Sequence, residues 1–158
     1  MSDKFDKRVA MLRSSPAELQ ALYQDVILDH YRRPRNKGSL PEGVPTKRLK
    51  NPFCGDELEI ALKLGADGRV TEARFEGQGC SISQASASML TELAVGKTPQ
   101  ELEGLGVRVK QMLDGSAEAA NDPALGEVRA LSGVAKYPAR HKCATIAWEA
   151  AAASLGSS

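Results

Sequence analysis

The residues best equipped for chemistry in this chain are three cysteines and one aspartate. Cys54 and Asp56 lie two residues apart in Asn51-Pro52-Phe53-Cys54-Gly55-Asp56, a turn-forming stretch ahead of a strand-like segment. Cys80 ends Glu76-Gly77-Gln78-Gly79-Cys80 and directly precedes a helix-like segment. Cys143 falls in the first turn of the last helix-like segment, after Arg140-His141-Lys142. The free N–H groups and dipole of a helix start favour a thiolate at the second and third positions. A carboxylate two residues from a thiol can converge with it on one ion.

Free cysteine also packs as a small hydrophobe, so buried filler is the competing reading. Flanking glycines and charges, rather than apolar neighbours, weigh against it. If the three thiolates and Asp56 gather, they form a four-ligand set suited to tetrahedral Zn²⁺ or to an iron cluster that tolerates one oxygen ligand. Such a site is anionic and gains from nearby cations. Arg140 and Lys142 are therefore candidates for electrostatic support, even though cations at a helix N-terminus are mildly unfavourable. No C-x₂-C pair occurs, which excludes a zinc-finger knuckle and a thioredoxin-type couple. The ligands come from three separate places, so the tertiary fold must assemble them.

Composition narrows the classes. With 158 residues the chain fits one domain. A core of that size needs no metal or disulfide to form, so a metal here is functional rather than a folding staple. The 21 basic and 20 acidic residues leave a charge near +1, and no basic excess exists for nucleic-acid binding. No apolar run approaches the roughly 20 residues of a membrane span. The mixed charges of MSDKFDKRVAMLRSS do not read as an export signal. An odd cysteine number then argues for a reducing, cytoplasmic setting.

The elements that would carry these residues follow in order. Residues 1–15 read as a loose, flexible tail and 16–158 as a single domain. Ser15-Pro16-Ala17-Glu18 gives a helix start with Ser15 as N-cap, and the apolar spacing of Leu19, Leu22, Tyr23, Val26 and Ile27 continues it toward Pro34. Residues 32–45 are a basic loop. Glu57–Leu64 alternates, with Leu58, Ile60, Leu62 and Leu64 on one face. After a Gly65–Gly68 turn, a second strand places Thr71, Ala73 and Phe75 together. Thr46–Leu49 offers a third. Helices are expected over 81–95, 99–113, 123–132 and 140–155. Strands followed by helices predict an α+β fold with a small antiparallel sheet. His30 reads as structural at the end of its helix, and Trp148 as core.

The motif around Cys54, the run Gly77-Gln78-Gly79-Cys80-Ser81-Ile82-Ser83-Gln84-Ala85-Ser86 and the run Tyr137-Pro138-Ala139-Arg140-His141-Lys142-Cys143-Ala144 closely resemble the ligand segments of the IscU/NifU N-terminal scaffold family. Leu22-Tyr23 through His30-Tyr31 to Pro34-Arg35-Asn36-Lys37-Gly38 is similar to its first helix and loop. Two departures point to its SufU branch. Lys142 stands where the scaffold branch has histidine, and an insertion occupies about 101–130. His141 is one position early, about a 100° turn away on a helix.

The resemblance implies an IscU/SufU-like fold with helices packed on one side of a three-stranded sheet. It also implies zinc bound by Cys54, Asp56, Cys80 and Cys143, with Cys54 as sulfur acceptor and Arg140 beside the site. The implied partner is a SufS-type cysteine desulfurase, with a downstream Suf scaffold or thiol acceptor receiving the sulfur. The alternative is a scaffold carrying a [2Fe–2S] cluster on the same ligands. A structural zinc module that only binds partners is the third reading.

Overall fold

The computed structural model of the chain describes residues 2–52 and 55–156. Its elements run α1 (Ser2–Leu12), α2 (Pro16–Arg32), β1 (Arg48–Asn51), β2 (Asp56–Leu64), β3 (Val70–Gln78), α3 (Ser81–Ala94), α4 (Pro99–Leu113) and α5 (Ala117–Ala120). A 3₁₀ segment follows over Pro123–Lys136, then a short 3₁₀ turn over Pro138–Arg140, and α6 (His141–Ser154) closes the chain. The α+β expectation with a three-stranded antiparallel sheet holds, in the order β1-β2-β3.

Alternation sets the sheet's two faces. Leu58, Ile60 and Leu62 of β2 and Ala73 and Phe75 of β3 are buried. On the opposite face, Arg48 pairs with Glu59 at 3.2 Å and Lys50 approaches Glu57 at 3.8 Å. The register puts Asn51 of β1 opposite Asp56 of β2. Asp56 shares the parity of Leu58 and Ile60, so the apolar face ends in a carboxylate. Leu64 and Thr71, expected inside, are exposed instead. A register irregularity between Lys63 and Leu64 ends the regular alternation there.

The helices α3 and α6 pack together and against the sheet. Both are rich in small residues: Ala85, Ser86, Ala87 and Ser88 of α3 and Ala144, Ala147, Ala150 and Ala151 of α6 are buried. Small side chains let the helix backbones approach closely. Ser86 Oγ donates to Ala144 O across the contact at 2.7 Å. The segment 101–130 contributes helices whose Leu102, Val109, Met112, Leu125 and Val128 join the same core. Among the described residues no helix is long and apolar enough to cross a membrane.

Three local expectations need correction. Residues 2–12 are not a loose tail but a helix, because Phe5, Val9 and Leu12 recur at helical spacing and meet the domain. The Phe5 ring stacks on Tyr23 with centroids 6.2 Å apart, and the Arg129 guanidinium lies over the Phe5 ring, 5.0 Å from its centroid. Arg129 also pairs with Asp6. Ser15 precedes α2 without a side-chain cap, whereas a full capping box forms at Thr98 and Glu101 of α4. The helix expected over 123–132 is 3₁₀ and runs on to Lys136, broken at Gly126, whose φ of 53° and ψ of −134° interrupt the helical path.

Phe5→Ala should lower unfolding stability by about 3 kcal/mol, read from urea denaturation. A flexible tail would give no change.

Candidate metal centre

Asp56 is 1% exposed. A carboxylate so far from water must have its oxygens hydrogen-bonded. The Cys80 backbone N–H donates to Oδ1 at 3.0 Å and the Ser83 hydroxyl donates to the same oxygen at 3.1 Å. On the other oxygen, Asn51 Nδ2 lies 3.4 Å from Oδ2. Burial pushes the Asp56 carboxyl up, but the Cys80 N–H, the Cys143 thiol, Ser83 and Asn51 together bring it below its ordinary value. The group is held as a carboxylate.

Each donor has a structural reason to be there. Asn51 ends β1 opposite Asp56, and Gly55 N–H donates to Asn51 O at 2.9 Å to close the hairpin turn between them. Gly55 has φ +71°, a value glycine adopts without strain. Cys80 is the N-cap residue of α3 in an extended conformation, which leaves its N–H free to reach Asp56. Ser83 follows three residues later on the same helical face. Gly79 lines the contact: a Cβ there would sit 2.4 Å from Ser83 Oγ and 2.5 Å from Asp56 Oδ1.

Cys80 and Cys143 complete the cluster. Cys143 has no exposed surface and lies in the first turn of α6, while Cys80 is half-buried. One ligand atom from each of Asp56, Cys80 and Cys143 lies within 4.8 Å of the others. Two thiols and a carboxylate at that separation fit around one tetrahedral ion, since metal–sulfur bonds are about 2.3 Å and metal–oxygen bonds about 2.0–2.2 Å. The donor set is soft enough to disfavour magnesium and calcium. Cys54 lies outside the described residues.

The basic run is arranged less simply than the sequence suggested. Arg140 is exposed on the 3₁₀ turn leading into α6. Lys142 is exposed and donates from Nζ to both carboxylate oxygens of Glu149, at 2.9 and 2.8 Å. Its charge is thus shared with an acidic partner on the same helix. His141 Nε2 contacts Ala135 O at 3.1 Å. His30 is buried and structural, as expected. Its Nδ1 is 2.7 Å from Ser88 Oγ and its Nε2 is 3.0 Å from Glu127 Oε1, so α2, α3 and the 3₁₀ segment are tied at one point. Asn51, Gly79 and Ser83 join the site as residues whose types alone do not mark them for it. The i, i+3 spacing of Cys80 and Ser83 was the available signal.

The sequence matches the NifU-like N terminal domain over residues 22–144, and the chain belongs to that family. It is 45% identical over 134 residues to the zinc-dependent sulfurtransferase SufU of Bacillus subtilis (strain 168), covering 85% of this chain and 89% of the relative. It is 40% identical over 134 residues to the iron–sulfur cluster assembly scaffold protein IscU of Streptococcus pyogenes serotype M1, covering 85% and 82%. The crystal structure of FiSufU, a SUF-system protein from Fervidobacterium islandicum AW-1, superposes with a TM-score of 0.71 at 28% identity. That match covers 82% of this chain and 93% of FiSufU.

Gly79→Ala should displace Asp56 and Ser83 and cut uptake of one equivalent of metal by the purified apoprotein. Elemental analysis after gel filtration, with circular dichroism as the folding control, checks it. Full uptake by the folded variant would contradict the packing just described.

Proposed function

We propose that this protein is a sulfur acceptor in iron–sulfur cluster assembly, holding zinc with Cys54, Asp56, Cys80 and Cys143 and receiving sulfur on Cys54. The observation that carries the reading is the convergence of Asp56, Cys80 and Cys143 within 4.8 Å at the buried end of the sheet. The likeness to a zinc-dependent sulfurtransferase over most of both chains supports it. Zinc bound by such a set keeps its cysteines deprotonated and, having no redox chemistry, leaves them as nucleophiles or ligands.

The donor is a persulfide on a SufS-type cysteine desulfurase. The Cys54 thiolate attacks the outer sulfur of that persulfide. A new S–S bond forms at Cys54, the donor's S–S bond breaks, and the donor cysteine leaves as a thiolate. The outer sulfur keeps its proton as it moves onto Cys54, giving Cys54–S–SH, and no net oxidation occurs. The same exchange with a downstream thiol or Suf scaffold passes the sulfur on. Reduced thiols throughout fit action in the cytoplasm.

Arg140, exposed at the entrance to α6, supplies positive charge that favours the thiolates of this exchange. Lys142 adds to this field, moderated by Glu149. The family's scaffold members support a second reading, in which the same ligands carry a [2Fe–2S] cluster. Lysine rather than histidine before Cys143 favours sulfur transfer.

Cys54→Ala should keep the fold and abolish stimulation of desulfurase turnover, with no sulfur-labelled adduct on the chain by intact mass. Stimulation equal to that of the parent would refute the acceptor assignment. A stable, transferable cluster after anaerobic reconstitution that displaces zinc would favour the scaffold instead. Loss of folding in every ligand variant would indicate a structural zinc module.

A further inference from the structure

The Asp56 carboxylate has two oxygens in unequal situations. Oδ1 accepts from the Cys80 N–H and from the Ser83 hydroxyl, at 3.0 and 3.1 Å. Two such donors occupy the two lone pairs that a carboxylate oxygen presents. Asn51 Nδ2 makes a longer contact to Oδ2, at 3.4 Å, and the Cys143 thiol, itself a prospective ligand, also hydrogen-bonds the carboxylate. With both lone pairs of Oδ1 engaged, Oδ2 is the oxygen that can turn to an ion held with the Cys143 sulfur.

The Ser83 hydroxyl has a single proton and two acceptors in reach, Asp56 Oδ1 and Cys80 O, each at 3.1 Å. Cys80 O already accepts the Gln84 N–H of α3 at 3.1 Å. An ionised carboxylate is the stronger acceptor, so the proton goes to Asp56. Ser83 is fully buried, and the missing Cβ of Gly79 leaves the space in which it and Asp56 meet. The Cys80 Sγ, 3.8 Å from Ser83 Oγ, places a second prospective ligand against the same hydroxyl.

We propose that Ser83 is a positioning residue of the metal centre, which engages Asp56 Oδ1 and so presents the carboxylate to the ion through Oδ2 alone. A carboxylate restricted to one oxygen suits a four-coordinate ion. Freed from Ser83 it can tilt and offer both oxygens, raising the coordination number and weakening the fit to zinc. Asn51 assists from β1 by orienting Oδ2. The inference rests on the zinc reading and adds to it a residue that touches no metal.

The experiment measures Zn²⁺ affinity of the apoprotein by competition with a chromophoric chelator, and the visible spectrum of the Co²⁺-loaded protein. Ser83→Ala should weaken zinc binding about ten- to a hundredfold, the range usual when a hydrogen bond to a metal ligand is removed. The intense tetrahedral cobalt bands should fall as a fifth donor enters. Ser83→Thr, which keeps the hydroxyl, should restore both, and the isosteric Ser83→Val should not. This pair keeps the test decisive if the alanine variant folds poorly. Ser88→Ala removes a buried hydroxyl that serves His30 and Arg35 instead, and should leave zinc affinity unchanged. Parent-like affinity and cobalt spectrum in folded Ser83→Ala would overturn the positioning role while leaving the zinc reading intact. A parent chain that takes up no zinc would overturn both.

Discussion

A buried carboxylate at the end of an apolar sheet face has to find its donors nearby, and in this chain they come from three directions. Asn51 approaches from the neighbouring strand, Cys80 N–H and Ser83 from the start of α3, and the Cys143 thiol from the start of α6. Leaving such a group unsatisfied would cost several kcal/mol. The hairpin register, the entry into α3 and the seating of α6 are therefore linked through Asp56. A shift of β2 by one residue would turn Asp56 to the charged outer face and Glu57 inward, dispersing the cluster.

The close approach of α3 and α6 supplies the rest. Serine and alanine at their contact carry little side-chain volume, and the Ser86 to Ala144 hydrogen bond fixes the two helices at the residue that follows Cys143. Two cysteines 63 residues apart in sequence are thus brought together by helix packing rather than by a local motif. Replacing either small-residue face with bulky side chains would separate Cys80 from Cys143 before it touched either ligand. The His30 network works at the far side of α3, where Glu127 anchors the 3₁₀ segment. Its hydrogen bond to His30 holds the Glu127 carboxyl below its usual range against the opposing effect of burial.

Much of this architecture is legible in the residue pattern. Period-2 alternation located β2 and β3, and proline and glycine marked the limits of α2, α3 and α4. The metal-ligand candidates stood out because their neighbours are glycines and helix starts rather than apolar residues. Other features depend on partners distant in sequence. Phe5 and Val9 form a helix because Tyr23, Arg129 and the core receive them, and the composition of residues 1–15 contains no trace of that reception. Ser15 had the residue type of a cap but not the backbone geometry to act as one. Lys142 read as a cation beside the cysteines, while its long side chain reaches Glu149 one turn pair further along α6. Gly79 looked like loop punctuation, yet its missing Cβ is what lets Asp56 and Ser83 meet.

Burial also orders the ligands chemically. Asp56 and Cys143 have almost no exposed surface, whereas Cys80 is half-buried and Gly55 and Arg140 are exposed. A sulfur donor on another protein has access only where solvent has access. Reaction at Cys143 would require opening the α3–α6 contact, and reaction at Asp56 would require unpacking the sheet. Gly55, between β1 and β2, has exposed surface next to Asp56. Cys54 precedes Gly55 in the sequence. The fold thus holds Asp56 and Cys143 by packing, and a sulfur donor has access to the cluster where Cys80 and Gly55 have exposed surface.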